Sequence, residues 1–284
     1  MSKISVIVTA YNAEKYVSET IESVLKQSFS DFELIVINFG KTGEISSAVS
    51  SFADERIRLI DNCKTGRFEA LNRGIEASTG IYVVILDEGS ILQVDMLKIH
   101  HSIMEEYPEI TICGSSEIVF GKKMPKRIVE PKILGWVDLP LIQLLLDNVP
   151  VSPAYTVRNS FINRNNLSYE DCNRAEDFKF WIDTALSNGG FYIDSQPLVY
   201  RRIMDENLSS VHRLAKLQAV SKIKNTVLPA LCEQYNETYP ALTTLYNACQ
   251  ELSEQNLFSE DEIFRLFHSL FMKNKDSFTS LQKK

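Results

Sequence analysis

The chain has 284 residues, of which 44% are hydrophobic and 24% charged, with a net charge of −7. These are the proportions of an ordinary globular protein, enough for one large domain or a main domain with an appendage. The acidic balance argues against a broad nucleic-acid surface, and no stretch approaches the ~18 consecutive apolar residues that span a bilayer.

The start, Met1 to Val8, lacks the long apolar core and cleavage site of a signal peptide, so a cytoplasmic location is the expectation. Cys63, Cys113, Cys172, Cys232 and Cys249 are odd in number and never form a Cys-x-x-Cys pair. They read as reduced structural thiols rather than a metal site.

Along the first ninety residues two periodicities alternate. Residues 4–9 (ISVIVT) form an apolar strand pattern, and Asn12 is placed to cap the helix that follows. Val17, Ile21, Val24 and Leu25 then share one helical face. Residues 33–38 predict a second strand, and Ile45, Val49 and Phe52 a second helix. Residues 57–60 predict a third strand, and Phe68, Leu71 and Ile75 a third helix. Residues 81–86 (IYVVIL) predict a fourth strand, apolar on both faces. Strands of this kind alternating with helices predict a mostly parallel sheet covered on both sides.

In open α/β sheets ligands bind beyond the carboxyl ends of the strands. Those ends are Thr9-Ala10-Tyr11-Asn12, Asn38-Phe39-Gly40, Asp61-Asn62 and Asp87-Glu88-Gly89. Their polar residues are the first candidates for ligand contact.

Beyond residue 94 the pattern predicts a helix ending near Pro108 and two short strands at 110–113 and 117–120. A mobile basic loop follows from Gly121 to Pro131. Buried helices are expected at 141–146 and 177–186. The last seventy residues lose all strand character and read as two or three helices. Ser259 with Glu262 forms a capping box and Phe258 with Ile263 a hydrophobic staple. Their apolar faces suit docking on the main domain, on a second copy in a homodimer, or on the inner face of a membrane.

Residues 5–12 (SVIVTAYN), 23–29 (SVLKQSF), 32–37 (FELIVI), Gly66 with 72–75 (NRGI), 80–87 (GIYVVILD), 175–178 (AEDF) with Trp181, and 202–210 (RIMDENLSS) occur in this order. In that order they resemble glycosyltransferase family two, whose fold is called GT-A. The resemblance covers roughly residues 3 to 210. It implies a GT-A-like domain over 1–212, with 213–284 as a helical extension. It also implies that a nucleoside-diphosphate sugar binds above the strand ends and that its sugar passes to a saccharide or lipid-linked acceptor with inversion. By the same resemblance a divalent metal, Mg²⁺ or Mn²⁺, bridges the diphosphate, Asp177 is the general base and Glu176 its orienting or acceptor-binding neighbour. Thr9, Tyr11, Asn38 and Arg67 are nucleotide candidates, and Asp87 and Glu88 the candidates for diphosphate or metal.

Several positions depart from the family's pattern. Two aspartates usually close the second strand, where this chain has Asn38 and Phe39; phenylalanine cannot accept a base N–H but can stack on a ring. The Asp-x-Asp metal motif reads Asp87-Glu88-Gly89, so the third position has no side chain. Met204 stands where a histidine near the diphosphate is usual. Arg67, Arg201 and Arg202 are cations positioned to neutralise phosphate instead. Two readings of different class therefore remain: a working glycosyltransferase with altered donor recognition, and a catalytically inactive relative that binds a sugar, a nucleotide or a partner enzyme. A scaffold acting through the helical tail is the third.

Overall fold

In the computed structural model the described residues are 2–11, 14–40, 44–61, 66–121, 124–146, 154–203 and 206–282. Asn12 and Met204, to which the sequence assigns a helix cap and a diphosphate-facing position, lie outside them.

The first half follows the predicted alternation. Strands β1 (Ile4–Ala10), β2 (Phe32–Asn38), β3 (Ile57–Ile60) and β4 (Tyr82–Asp87) alternate with helices α1 (Glu14–Leu25), α2 (Glu44–Ser50) and α3 (Arg67–Ala77). All four strands are parallel, in the order β3-β2-β1-β4. After β5 (Ile91–Leu92) and α4 (Met96–Glu106) come β6 (Ile110–Gly121), β7 (Met124–Val129), β8 (Gly135–Trp136) and α5 (Pro140–Leu145). Then follow β9 (Ala154–Arg158), α6 (Asn159–Arg164), α7 (Glu176–Leu186) and β10 (Gly190–Ile203). The sheet order is β3-β2-β1-β4-β9-β6-β10-β5. β9 runs antiparallel to both β4 and β6, whereas β6 and β10 are parallel.

Three local expectations are corrected. The two strands expected at 110–113 and 117–120 are the single strand β6, because Ser115 and Ser116 are buried and the ladder with β10 continues through them. The basic loop contains β7, paired antiparallel with β6 so that Ile118 faces Ile128. The closing loop at 202–210 is split: Arg202 and Ile203 end β10, and Glu206 already begins α8 (Glu206–Gln234).

Side chains alternate across β1, β2 and β4. Ile7, Ile35, Ile37, Val83 and Ile85 belong to one apolar cluster; Val6, Val8, Leu34, Val36, Val84 and Leu86 belong to the other. The second cluster is closed by Val17, Ile21 and Val24 of α1, Ile45 of α2 and Met104 of α4. The first is closed by Leu71 of α3, Phe178 and Ile182 of α7, and the C-terminal helices. Where two or three such helices are expected, the described residues form four: α8, α9 (Ala241–Glu254), α10 (Glu260–Lys273) and α11 (Lys275–Gln282). The capping box is present, with Ser259 Oγ accepting from the Glu262 N–H. Phe267 and Phe271 of α10 are wholly buried in the same cluster as Ile7. Burying each such ring stabilises the docked helix by about 1.5–3 kcal/mol.

Candidate active site

The alternation that places Ile7 and Ile85 in the first cluster also directs Thr9 and Asp87 to that face. The two are direct partners in the β1–β4 register. Arg67 is the first residue of α3, and Glu176 and Asp177 are the first two of α7. Both helices pack on this face, so their amino ends open beside the ends of β1 and β4. Between them lies a cavity of about 780 Å³. An aromatic wall of Tyr11, Phe39 and Phe68 stands on one side, with the Tyr11 and Phe39 rings 5.1 Å apart. Asp87, Glu88 and Arg67 also line it, together with Asp171, Asn173, Arg174, Glu176 and Asp177. Lys216, exposed on α8, completes the lining.

Arg67 ties the acidic groups together. Its Nη2 donates to Asp87 Oδ1 at 2.7 Å, and its Nη1 lies 3.0 Å from Asp177 Oδ2 and 3.8 Å from Glu176 Oε2. Burial opposes the charge on Arg67, but Asp177 and Asp87 reverse that effect and hold the guanidinium charged far above its ordinary range. Asp177 is gripped on its other oxygen: the Tyr155 hydroxyl donates to Oδ1 at 2.8 Å and itself meets the Tyr169 hydroxyl. Burial, then the charge of Asp177, pushes both phenols well up, so both stay protonated donors. Tyr169 stacks on Phe180, and its backbone N–H and C=O are both engaged by the Asn72 amide of α3.

The turn before α7 is strained. Asn173 and Arg174 both have positive φ, 46° and 74°, a region that side-chain-bearing residues seldom adopt. The Glu176 carboxylate holds this turn by accepting the Arg174 backbone N–H at 3.1 Å. Glu88 is half-buried; burial, then the neighbouring Asp87 charge, raises its carboxyl to about 8. At neutral pH it is mainly a protonated acid.

Tyr11, Arg67, Asp87, Glu88, Glu176 and Asp177 thus surround one cavity, although they come from β1, α3, β4 and α7 and their flanks. The remaining candidates lie outside its lining. Thr9 is buried at the end of β1, and its hydroxyl has no hydrogen-bond partner among the described residues. Asn38 is buried, donating to Asp61 Oδ1 and accepting the Gly40 N–H, so it joins the ends of β2 and β3. Arg201 makes a two-point pair with Glu117. Arg202 pairs with Glu19, donates to the Gly89 carbonyl and lies over the Tyr16 and Phe120 rings. Sequence reasoning missed Tyr155, Tyr169 and Lys216. Tyr155 sits on β9, an antiparallel insertion without the apolar length of its neighbours, and no local pattern marks it.

The donor set does not fit a divalent ion of the usual Asp-x-Asp kind. One Asp87 oxygen is committed to Arg67, and Gly89 has no ligand atom. Among the described residues no group of three His, Cys, Asp or Glu side chains converges as a metal site.

A parallel sheet interrupted by one antiparallel strand, with carboxylates gathered above its strand ends, defines a GT-A fold. The chain belongs to glycosyl transferase family 2, whose sequence profile matches residues 5–167, more than half its length. It is 39% identical to the uncharacterised glycosyltransferase EpsJ of Bacillus subtilis over 87% of this chain and 72% of EpsJ. It is 27% identical to the Escherichia coli UDP-Glc:alpha-D-GlcNAc-diphosphoundecaprenol beta-1,3-glucosyltransferase WfgD over 60% of this chain and 73% of WfgD. Among solved structures it is similar to residues 1–349 of Staphylococcus aureus TarS in complex with UDP-GlcNAc. The TM-score is 0.63 at 17% identity, covering 84% of this chain and 73% of that one. The chain spans only about a third of the length of some uncharacterised glycosyltransferases that it matches, 32% of one from Rickettsia felis.

Proposed function

We propose that the chain moves a sugar from a nucleoside diphosphate to a hydroxyl of a saccharide or lipid-linked acceptor, with inversion at the anomeric carbon. The observation that carries this reading is that Asp87 and Asp177, far apart in sequence, meet on a single guanidinium beneath one open cavity. A cavity of about 780 Å³ has room for a nucleotide sugar.

In this reading the nucleobase stacks against Tyr11 and Phe39, which replaces a base-pairing aspartate with a ring face. The diphosphate lies over Arg67 and Asp87, and the sugar points toward Asp177. The acceptor hydroxyl attacks the anomeric carbon from the face opposite the leaving group. Its proton passes to an Asp177 oxygen as the new C–O bond forms. The bond to the phosphate oxygen breaks, and its electron pair leaves with the nucleoside diphosphate. Tyr155 orients the base through its other oxygen, and Glu176 keeps the strained turn in place.

A polysaccharide precursor on a lipid carrier is the acceptor class that WfgD's name supports. Such an acceptor would bring the enzyme to the inner face of a membrane. No helix of the described residues is long and apolar enough to cross one. Leu214 and Leu217 of α8 are exposed beside Lys216 of the cavity lining, which suits contact with a lipid surface.

The test is release of nucleoside diphosphate from UDP- and GDP-sugars in the presence of GlcNAc-diphosphoundecaprenol, for wild type and Asp177→Asn. Loss of a positioned base lowers turnover about 10²–10⁴-fold, with nucleotide binding retained. Equal turnover in both proteins removes Asp177 from the mechanism.

A further inference from the structure

Taking the transferase reading above as given, we infer that the Arg67 guanidinium, with Lys216 lining the same cavity, neutralises the donor's diphosphate without a divalent ion. Arg67 already occupies the metal's electrostatic place. Its Nη2 sits 2.7 Å from Oδ1 of Asp87, the first residue of the metal motif. The motif's third position is built as a turn: Gly89 has φ +82°, and its N–H donates to Thr20 Oγ1. Any side chain placed there would be strained, so the missing ligand is part of the backbone's design.

The charges also match. Arg67 and Lys216 together carry two positive charges, the same as a divalent ion. Arg67 starts an eleven-residue helix whose preceding residue, Gly66, also lines the cavity. Backbone N–H groups and the helix dipole there favour an anion as well. A guanidinium has five N–H donors, and the contacts to Asp87 and Asp177 leave others for phosphate oxygens. Its side chain is 24% exposed, on the cavity side.

The three carboxylates around Arg67, those of Asp87, Glu176 and Asp177, explain why the site is not simply an anion trap. Asp177 holds Nη1 at 3.0 Å, and Glu176 lies more loosely at 3.8 Å. A doubly charged diphosphate competes with a single carboxylate for that edge. As it enters, Arg67 exchanges Asp177 for phosphate oxygen, and the Asp177 Oδ2 is freed to receive the acceptor's proton. Donor binding therefore arms the base, and the Asp87 contact keeps Arg67 anchored throughout.

The experiment is calorimetric titration of the full chain with UDP, GDP, CDP and dTDP, in EDTA and in Mn²⁺. One nucleotide is expected to bind with an affinity that differs less than about twofold between the two conditions. Arg67→Met should weaken it at least about tenfold and Arg67→Lys less, as expected for loss of charge-assisted hydrogen bonds. Lys216→Met, an exposed change that leaves the fold alone, should weaken it by a smaller factor. Binding by wild type only in Mn²⁺ overturns the inference while leaving the transferase reading intact, and this arm requires no variant to fold. Unchanged affinity in folded Arg67→Met also overturns it. Failure of every nucleotide in both conditions overturns the transferase reading and the inference together.

Discussion

The hydroxyl of Tyr155 donates to Oδ1 of Asp177 at 2.8 Å, from a strand whose residues pair with β4. Behind it, Tyr169 meets the Tyr155 hydroxyl, and Asn72 of α3 brackets the Tyr169 backbone. Asp177 is thus wired to α3 twice, through Arg67 on one oxygen and through this buried chain on the other. Tyr155→Phe keeps the ring and its packing against Trp181 but removes the donor. A hydrogen bond to a charged group is worth about 1.5–3 kcal/mol. We expect kcat to fall about 10–100-fold with KM for the donor nearly unchanged, measured by steady-state kinetics. A rise in donor KM at constant kcat would instead place Tyr155 in donor binding.

Asn72→Ala removes both partners of the Tyr169 backbone at once. Stability should fall by about 1–3 kcal/mol, read as a lower urea midpoint. Turnover should fall further than nucleotide affinity, because the tyrosine pair loses its backbone anchor. Equal losses in both would show that Asn72 supports the nucleotide side instead.

Gly74 lies in α3 where the helix presses on β1. A Cβ at this position would come within 2.5 Å of Ile7 Cγ2, a methyl near the backbone of a wholly buried residue. Overpacking of this kind costs about 1–3 kcal/mol, against which alanine's better helix propensity returns at most about 1 kcal/mol. Gly74→Ala should therefore lower the unfolding midpoint with no change in nucleotide affinity, since the contact is on the sheet side of the helix. A midpoint at or above wild type would mean that α3 can lift off β1 freely.

Glu88 carries a pH signature. Its carboxyl is raised from 4.5 to about 8 in the folded chain, by burial first and then by Asp87. Between those values the native state holds a proton that the unfolded state has released. The associated stability is complete below about 4.5 and is lost as pH climbs through 8. Glu88→Gln cannot ionise, so its melting temperature should gain on wild type between pH 6 and pH 8.5. His100, held neutral at about 3 by burial, works at the acidic end and is common to both proteins, so it cancels. Parallel melting curves across this range would show that Glu88 is already ionised at neutral pH.

Much of this molecule is legible in its sequence. Apolar runs such as residues 4–9 and 81–86 predict β1 and β4 because a strand buried on both faces has few other compositions. The Ser259–Glu262 box marks the start of α10 because capping is settled within four residues. Tyr11, Asp87 and the Glu176–Asp177 pair are found by the strand-end rule and the family resemblance, both of which work on short segments. Local pattern predicts two strands, at 110–113 and 117–120, and only pairing with β10 carries the ladder through Ser115 and Ser116.

What local pattern determined here is therefore the alternation of strands and helices and the amino ends that open on the cavity. Which charges meet there was decided by tertiary structure. Arg201 and Arg202 look from sequence like equal rivals of Arg67, yet Glu117 and Glu19 engage them, and Arg67 alone of the three lines the cavity. Periodicity acts over a few residues. The partner of a charge depends on sheet order and register, which join segments far apart in the chain, 84 residues for Arg201 with Glu117 and 183 for Arg202 with Glu19.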